Sequence, residues 1–521
     1  MLEVDHSYNV EAQLITKGAS TLLYDLVIYG GTAAGIASAL QAKRSGLHPV
    51  IVEPTARIGG LTTGGLGDTD YGHSAAIGGI SLEFYTRLGV KYGKQGPVWM
   101  FEPKQALAVF KEWVDELGIE IKYGERLDLV NGVAKSGNRI IKLRLESGLT
   151  IAGRMYMDTS YEGDLMKAAG VSYTTGRESN LIYREKTNGI QTAHATKNQL
   201  PPGIDPYIVK GDPSSGLLPG VNADAGGADG EGDAKVQAYC YRMCLTDDPA
   251  NRVMVERPAD YDEREYELMF RAIEQGQRRF FKLRMLPNRK TDSNNDNGFS
   301  TDYIGRNYNY PEADYEERAW ISAAHETYQK GLVWTLQHHQ RVPADIREFY
   351  KEWGLPLDEF EENGHWTPQL YVRESRRMVA EVVMTEHHIR FGAPIEDSVG
   401  MGSYNMDSHH TQRHVGPDGF VTNEGDVQIG LGAPYPISYR AIVPREGECD
   451  NLFVPVCLSS SHIAYGSIRM EPVFMVLGQS AATAAAIAIE SGVAVQQVPY
   501  EALRRRLLAD GQVLQQSVTG G

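Results

Sequence analysis

The first strong hydrophobic signal along the chain is Tyr24–Tyr29 (YDLVIY), an apolar run suited to a strand covered on both faces. It runs straight into Gly30-Gly31. Thr32–Ser45 (TAAGIASALQAKRS) then reads as an Ala-rich helix closed by Gly46, and Pro49–Glu53 (PVIVE) as a second buried strand. That is a β-α-β unit in about 30 residues, the size of one mononucleotide-binding half. A glycine-dense loop, Gly59–Gly79, follows, and then a helical pattern around Lys104–Leu117. Ile119–Tyr123, Leu127–Val133, Ile140–Leu145 and Thr150–Met157 alternate with Gly-containing turns, which predicts a β-meander returning to a buried strand. Between Tyr183 and Trp366 the texture changes to polar loops and amphipathic helices such as Glu312–His339, just after Pro311. Asn222–Asp233 and Thr291–Gly298 read as solvated loops, because their Asp spacing does not match a calcium loop. Near the C-terminus the pattern predicts short strands at Gly419–Val421 and Asp426–Ile429, and a buried strand at Asn451–Cys457. A polar loop, Ser459–Pro472, and a small-residue helix, Val473–Glu490, complete it.

Composition narrows the partners. The chain carries 51 Lys+Arg against 67 Asp+Glu, a net charge of −16, with 42% hydrophobic residues and 55 Gly. These are globular proportions. The acidic balance argues against nucleic acid or an anionic membrane surface, and no run of 18 apolar residues predicts a span. The first 25 residues lack a basic segment followed by an apolar one, so no secretory signal is expected. Cys240 and Cys244 are spaced C-x3-C, and Cys449 and Cys457 flank a strand-like run, so four reduced thiols in a cytoplasmic protein are expected.

Gly30-Gly31-Thr32-Ala33-Ala34-Gly35 lies between strand and helix, where a dinucleotide fingerprint belongs. Gly30 permits the tight turn, small residues at 32–34 let backbone N–H groups approach a pyrophosphate, and Gly35 lets the helix pack on the sheet. Thr32 replaces the middle glycine of the usual pattern. Glu53 ends the second strand 18 residues after Gly35, where an acid accepts ribose hydroxyls. The glycine doublet Gly59-Gly60 just beyond that acid extends the track and suits FAD better than NAD. Neither Gly430-Leu431-Gly432 nor Gly400-Met401-Gly402 opens a second nucleotide unit, so electrons are expected from an organic substrate.

The segments YDLVIYGGTAAGIASALQAKRSG, IVEPTARIGGLTTGGLGDTD, YEGDLMKAAGVSYTTGRES, LYVRESRRM, DSVGMGSYNMDSH and VPVCLSSSHIAYGSIRMEPVFMVLGQSAATAAAIA resemble the FAD-dependent oxidoreductase family related to glutathione-reductase-type flavoproteins, from Tyr24 to the C-terminus. The resemblance implies non-covalent FAD, with Gly30, Thr32, Ala33 and Ala34 at the pyrophosphate, Glu53 followed by Pro54 at the adenosine ribose, and Gly59, Gly60 and Leu61 along the ribityl–isoalloxazine end. It further implies a backbone contact to adenine, for which Leu127 is the candidate, and places Thr159 of Asp158-Thr159-Ser160 near the cofactor. Where the family has an acidic residue after the late buried strand, this chain has Ser459–His462, leaving Ser461 as the candidate there.

The fold expected is therefore α/β. A Rossmann-type FAD domain with a parallel sheet and β-meander is built from residues 1–182 and 367–521, and an α+β substrate domain, 183–366, is inserted between them. The expected activity is hydride transfer between FAD and a small polar, sugar-like substrate. A redox-neutral FAD lyase or isomerase and a non-catalytic flavin redox sensor stand as alternatives. His462, preceding a helix that should point at the flavin, reads either as the proton acceptor or as a histidine that only hydrogen-bonds flavin or structure; His409 is the next candidate, expected as a substrate hydrogen-bonder rather than a base. Arg373 and Tyr404 are the substrate-contact candidates. Arg373 and Arg377 are i,i+4 neighbours in an expected helix, which reads either as an ion-paired face or as a clamp for substrate oxygens. His410, His414 and His338-His339 lack tight metal-ligand spacing, so no metal is expected. The expected partners are a small-molecule substrate and an electron acceptor of unspecified identity, with self-association into a homo-oligomer left open.

Overall fold

The computed structural model describes residues 22–515. The expectation for the first 25 residues falls almost entirely outside them. Strand β1 (Leu22–Tyr29) leads through Gly30–Thr32 into helix α1 (Ala33–Arg44) and strand β2 (Pro49–Glu53), within a residue or two of the predicted unit. Helix α2 (Pro103–Leu117) and strands β3 (Glu120–Tyr123), β4 (Val133–Ser136), β5 (Arg139–Arg144) and β6 (Thr150–Asp158) follow. Late in the chain come β7 (Leu452–Phe453), α3 (His462–Ile468) and α4 (Glu471–Ser491).

These strands form one seven-stranded sheet. Its order is β3-β2-β1-β6-β5-β4, with β7 pairing on β6. β2, β1, β6 and β7 run parallel, with Leu26 opposite Pro49 on one side and Met155 on the other, and Leu452 opposite Tyr156. β5 pairs antiparallel with the first half of β6 (Lys142 opposite Ala152), so β5 and β7 share one edge of the same strand. β1 is buried on both faces as predicted: Leu26 and Ile28 enter one core, Val27 and Tyr29 the other. On the first face α1 packs against α4, and every residue from Ala33 to Ala42 is buried. A Cβ at Gly478 would lie 2.5 Å from the Ala34 carbonyl oxygen, so only glycine allows this crossing. The N-terminal unit is thus completed from the far end of the chain. α4 has the length and mean hydropathy (1.6) of a membrane-crossing helix, and that whole window is buried inside the protein.

Several predicted boundaries move, each for a local reason. Leu127–Val133 is not a strand: the Asp128 carboxylate accepts the N–H groups of Val130 (3.0 Å) and Asn131 (2.9 Å), a turn that delays the ladder to Val133. Only two residues of Asn451–Cys457 pair, and Pro455 has no N–H to continue the ladder. The expected polar loop Ser459–Pro472 contains α3, where the Ser461 hydroxyl accepts the Ala464 N–H at 3.4 Å. Residues 370–378 are extended instead of helical, with Leu370–Tyr371 paired to Cys240–Tyr241 and Arg377–Met378 paired to Tyr173–Thr174. The first residues of Thr291–Gly298 belong to a hairpin, Arg284–Leu286 with Lys290–Asp292, and Asp292 is buried. The later short strands are Val421–Glu424 and Val427–Ile429. The long middle helix spans Tyr315–His338, capped by Asp314, whose carboxylate accepts the Glu317 N–H at 2.9 Å. All four cysteines are free and buried.

Candidate functional site

The turn between β1 and α1 is crowded in the way a close backbone approach requires. Gly30 has φ +100°, and a Cβ there would lie 2.8 Å from the Ser160 nitrogen; a Cβ on Gly35 would meet the Gly30 carbonyl oxygen at 2.1 Å. Thr32, the departure from the glycine pattern, is absorbed locally: its hydroxyl accepts the Gly35 N–H (3.3 Å) and donates to the Thr159 carbonyl (2.8 Å). The Thr159 hydroxyl donates to the Gly30 carbonyl at 2.6 Å, tying the β6 end to this turn. Ala33 and Ala34 begin α1, whose first-turn N–H groups have no intrahelical acceptors. At the end of β2, Glu53 is buried. One of its oxygens accepts the Gly31 N–H (2.7 Å), the other the Thr55 N–H (2.7 Å) and hydroxyl (2.6 Å). Burial pushes the Glu53 carboxyl up, and these three hydrogen bonds oppose it. A side-chain-free turn, a helix N-terminus and an acid at the next strand end are the donor and acceptor set that a diphosphate and a ribose require, so the residues present fit a dinucleotide. Pro54 follows Glu53, half-buried.

The next turn is held by a residue that spacing did not flag. The Gly59 N–H bonds the Gly31 carbonyl (2.6 Å), and Gly60-Leu61 continue into a short turn of helix. The Leu61 N–H donates to the Tyr161 hydroxyl (2.9 Å), which donates to Glu471 Oε1 (2.7 Å), while the Thr62 hydroxyl donates to Oε2 (2.9 Å). Glu471, first residue of α4, is pushed up to about 7 by burial, against those two hydrogen bonds. Its signal in the sequence was a lone acid opening an otherwise apolar helix.

At two of the expected cofactor positions, Leu127 and Ser461, protein groups make hydrogen bonds. The Leu127 N–H donates to the Tyr29 hydroxyl (3.2 Å), the Leu127 carbonyl accepts from Tyr315 (3.0 Å), and the two hydroxyls bond each other at 2.9 Å. The Tyr29 and Tyr315 hydroxyls thus meet both backbone groups of Leu127. The Ser461 hydroxyl is buried and donates to Glu185 at 2.7 Å while capping α3.

A cavity of about 610 Å³ opens beyond the glycine loop, with Asp70, Arg242, Tyr371, Tyr404, Asp407 and His409 on its walls. His409 Nδ1 lies 2.7 Å from Asp302, whose other oxygen is 2.8 Å from Arg373. Burial alone would raise the Asp302 carboxyl, but Arg373 and His409 hold it well below the usual range. An ionised Asp302 accepts from Nδ1–H, while Nε2 lies 3.7 Å from Asp407, whose carboxyl His409 and Arg469 hold below the usual range against burial. Arg373 is not a free clamp, because it also meets the Cys240 thiol (3.1 Å) and the Ala238 carbonyl. Its neighbours are paired too, Arg376 with Asp164 (2.8 Å) and Arg377 with Glu178 (2.6 Å) and Glu374. Of the two readings of this arginine group, ion pairing is the one present.

His462 has a different setting. Only 2% exposed, it is absent from the walls of this cavity, and its Nδ1 lies 2.7 Å from Glu374. Burial first, then Arg377 and Arg177, push it down to about 3. Gln237 joins the two histidines: its carbonyl accepts the His409 N–H (3.0 Å) and its amide donates to Glu374 (2.8 Å). Asp302 and Gln237 were invisible in the sequence because each lies more than 100 positions from the histidine it serves.

The sequence matches the profile of the family described as FAD dependent oxidoreductase over residues 25–507. No curated protein matches it. Among solved structures it is similar to a flavin monooxygenase from Stenotrophomonas maltophilia (17% identity, 30% of this chain and 42% of that one, TM-score 0.22). It is similar also to an L-amino acid deaminase from Proteus vulgaris (17% identity, 31% and 53%, TM-score 0.23). The chain thus spans about half or less of the length of these structures.

Proposed function

The chain belongs to the FAD-dependent oxidoreductase family, and from that premise we propose that it oxidises a small, polar, hydroxylated substrate, with His409 as the proton acceptor. FAD, when bound, supplies the acceptor for the hydride that leaves the carbinol carbon. For that carbon to become a carbonyl its hydroxyl proton must leave too, and His409 Nε2 is the ring nitrogen left to take it. Asp302 fixes the tautomer and stabilises the charge that His409 gains, while Arg373 keeps Asp302 ionised and so positions the pair. The single observation that carries this reading is this carboxylate-held histidine on the wall of a polar cavity. His462 is set aside as the base because an imidazole pushed down to about 3 is a weak proton acceptor at neutral pH.

For the cofactor, Gly30 and the first turn of α1 (Thr32, Ala33, Ala34) suit the diphosphate, Glu53 the ribose, and Gly59–Leu61 the flavin end. The same loop that carries Gly59–Leu61 reaches Asp68 and Asp70 on the cavity wall, which supports placing substrate next to that end. The division into a cofactor part (1–182 and 367–521) and a substrate part (183–366) belongs to this proposal. So does a cytoplasmic setting, which the four free thiols support. Anaerobic titration of the yellow protein with sugars, polyols and amino alcohols tests it. Bleaching of the flavin by at least one hydroxylated compound is expected. Bleaching by none of them, with dithionite still effective, would leave a flavin-binding sensor as the better reading.

A further inference from the structure

The charges around the cavity do not balance. Arg242 is paired with Asp292 (2.7 Å), Arg469 with Asp407 (3.3 Å) and Arg373 with Asp302 (2.8 Å), so three guanidiniums meet three carboxylates. Arg284 and Arg279, also on the wall, are matched by Asp68 (2.9 Å) and Asp296 (3.2 Å). Asp70 is left over. Among the described residues no cation forms an ion pair with it, and Lys282, the remaining wall cation, is exposed at the rim, where solvent screens it. Burial raises the Asp70 carboxyl and the charge of Asp407 raises it further, while Arg242 and a hydrogen bond from Tyr404 oppose them. A carboxylate on the cavity wall without an ion-pair partner favours a cation beside it, whereas an anionic substrate would find every wall arginine already matched.

We propose that the cavity selects a hydroxylated substrate that also carries a protonated amine, with the ammonium against Asp70 and the reacting hydroxyl toward His409. This rests on the reading of the cavity as the substrate site. It makes Asp70 a specificity-determining residue.

Matched probes test it on the FAD-loaded protein: glucamine against sorbitol, and glucosamine against glucose, followed by calorimetric binding and by anaerobic flavin bleaching. In the wild type the amines should bind about tenfold or more tighter than their neutral counterparts, and D70N should reduce that preference to about threefold or less. Equal or weaker binding of the amines by the wild type, no binding of either amine, or a preference that persists in D70N would each overturn the assignment. The wild-type comparison stands even if D70N loses FAD or fails to fold. Amine binding without bleaching would keep the ammonium site and remove the oxidation reading. Tighter binding and bleaching by the neutral sugars would do the reverse.

Discussion

Replacing Glu53 with alanine removes the carboxylate at the end of β2 and releases the Gly31 N–H that it holds at 2.7 Å. Charge-assisted hydrogen bonds contribute about 1.5–3 kcal/mol, so E53A should weaken FAD binding on the order of 10- to 100-fold in a fluorescence titration of the apoprotein. Unchanged affinity would remove Glu53 from the cofactor site. The turn shaped by Gly30, Thr32 and Glu53 was legible in the sequence because it is local: its geometry is set by residues within about 30 positions of one another. His409 was legible only as a candidate. What favours it as the base in the proposed reading is Asp302, 107 positions away, a pairing that sequence spacing does not encode. His462 is set aside in that reading for the complementary reason. Its place before a helix was right, but burial, Arg377 and Arg177, which push it down, and its partner Glu374 depend on distant segments.

At the scale of elements, α4 carries Glu471 into the turn that follows Gly59, and the two hydroxyls it accepts tie that turn to the segment after β6. The cost of this latch depends on pH. Burial raises the Glu471 carboxyl from 4.5 to about 7 in the folded protein. The folded state therefore holds a proton that the unfolded chain has released between those values. Its stabilising contribution is fully present below the unfolded value and is lost as pH rises through about 7. The unfolding free energy of the apoprotein from urea titrations should fall over that window, by up to about 3 kcal/mol from this group, and E471Q, which cannot ionise, should flatten the fall. A wild-type profile matching that of E471Q would show that Glu471 keeps its ordinary ionisation. Elements with strong periodicity, such as β1, α1 and α4, stood where the pattern put them. Residues 370–378 did not, because the helical spacing of Arg373 and Arg377 lost to buried partners: Asp302 for one, Glu178 and Glu374 for the other.

Across the whole molecule, the two ends of the chain meet on one sheet, with β7 beside β6 and α4 against α1. The opening β-α-β unit and the late apolar helix made this closure legible. The cavity was not, since its walls draw on the glycine loop, the middle hairpin and the segment around His409. The proposed function depends on that convergence, because the candidate cofactor turn and His409 lie in distant parts of the chain. The most direct measurement is anaerobic stopped-flow reduction of bound flavin by a bleaching substrate, in the wild type, H409N and H462N. With FAD retained, H409N should reduce its flavin about 10²–10⁴-fold more slowly, while H462N stays within about tenfold of the wild type. Wild-type reduction by H409N, or a larger loss in H462N than in H409N, would contradict the assignment of the base to the Asp302–His409 pair.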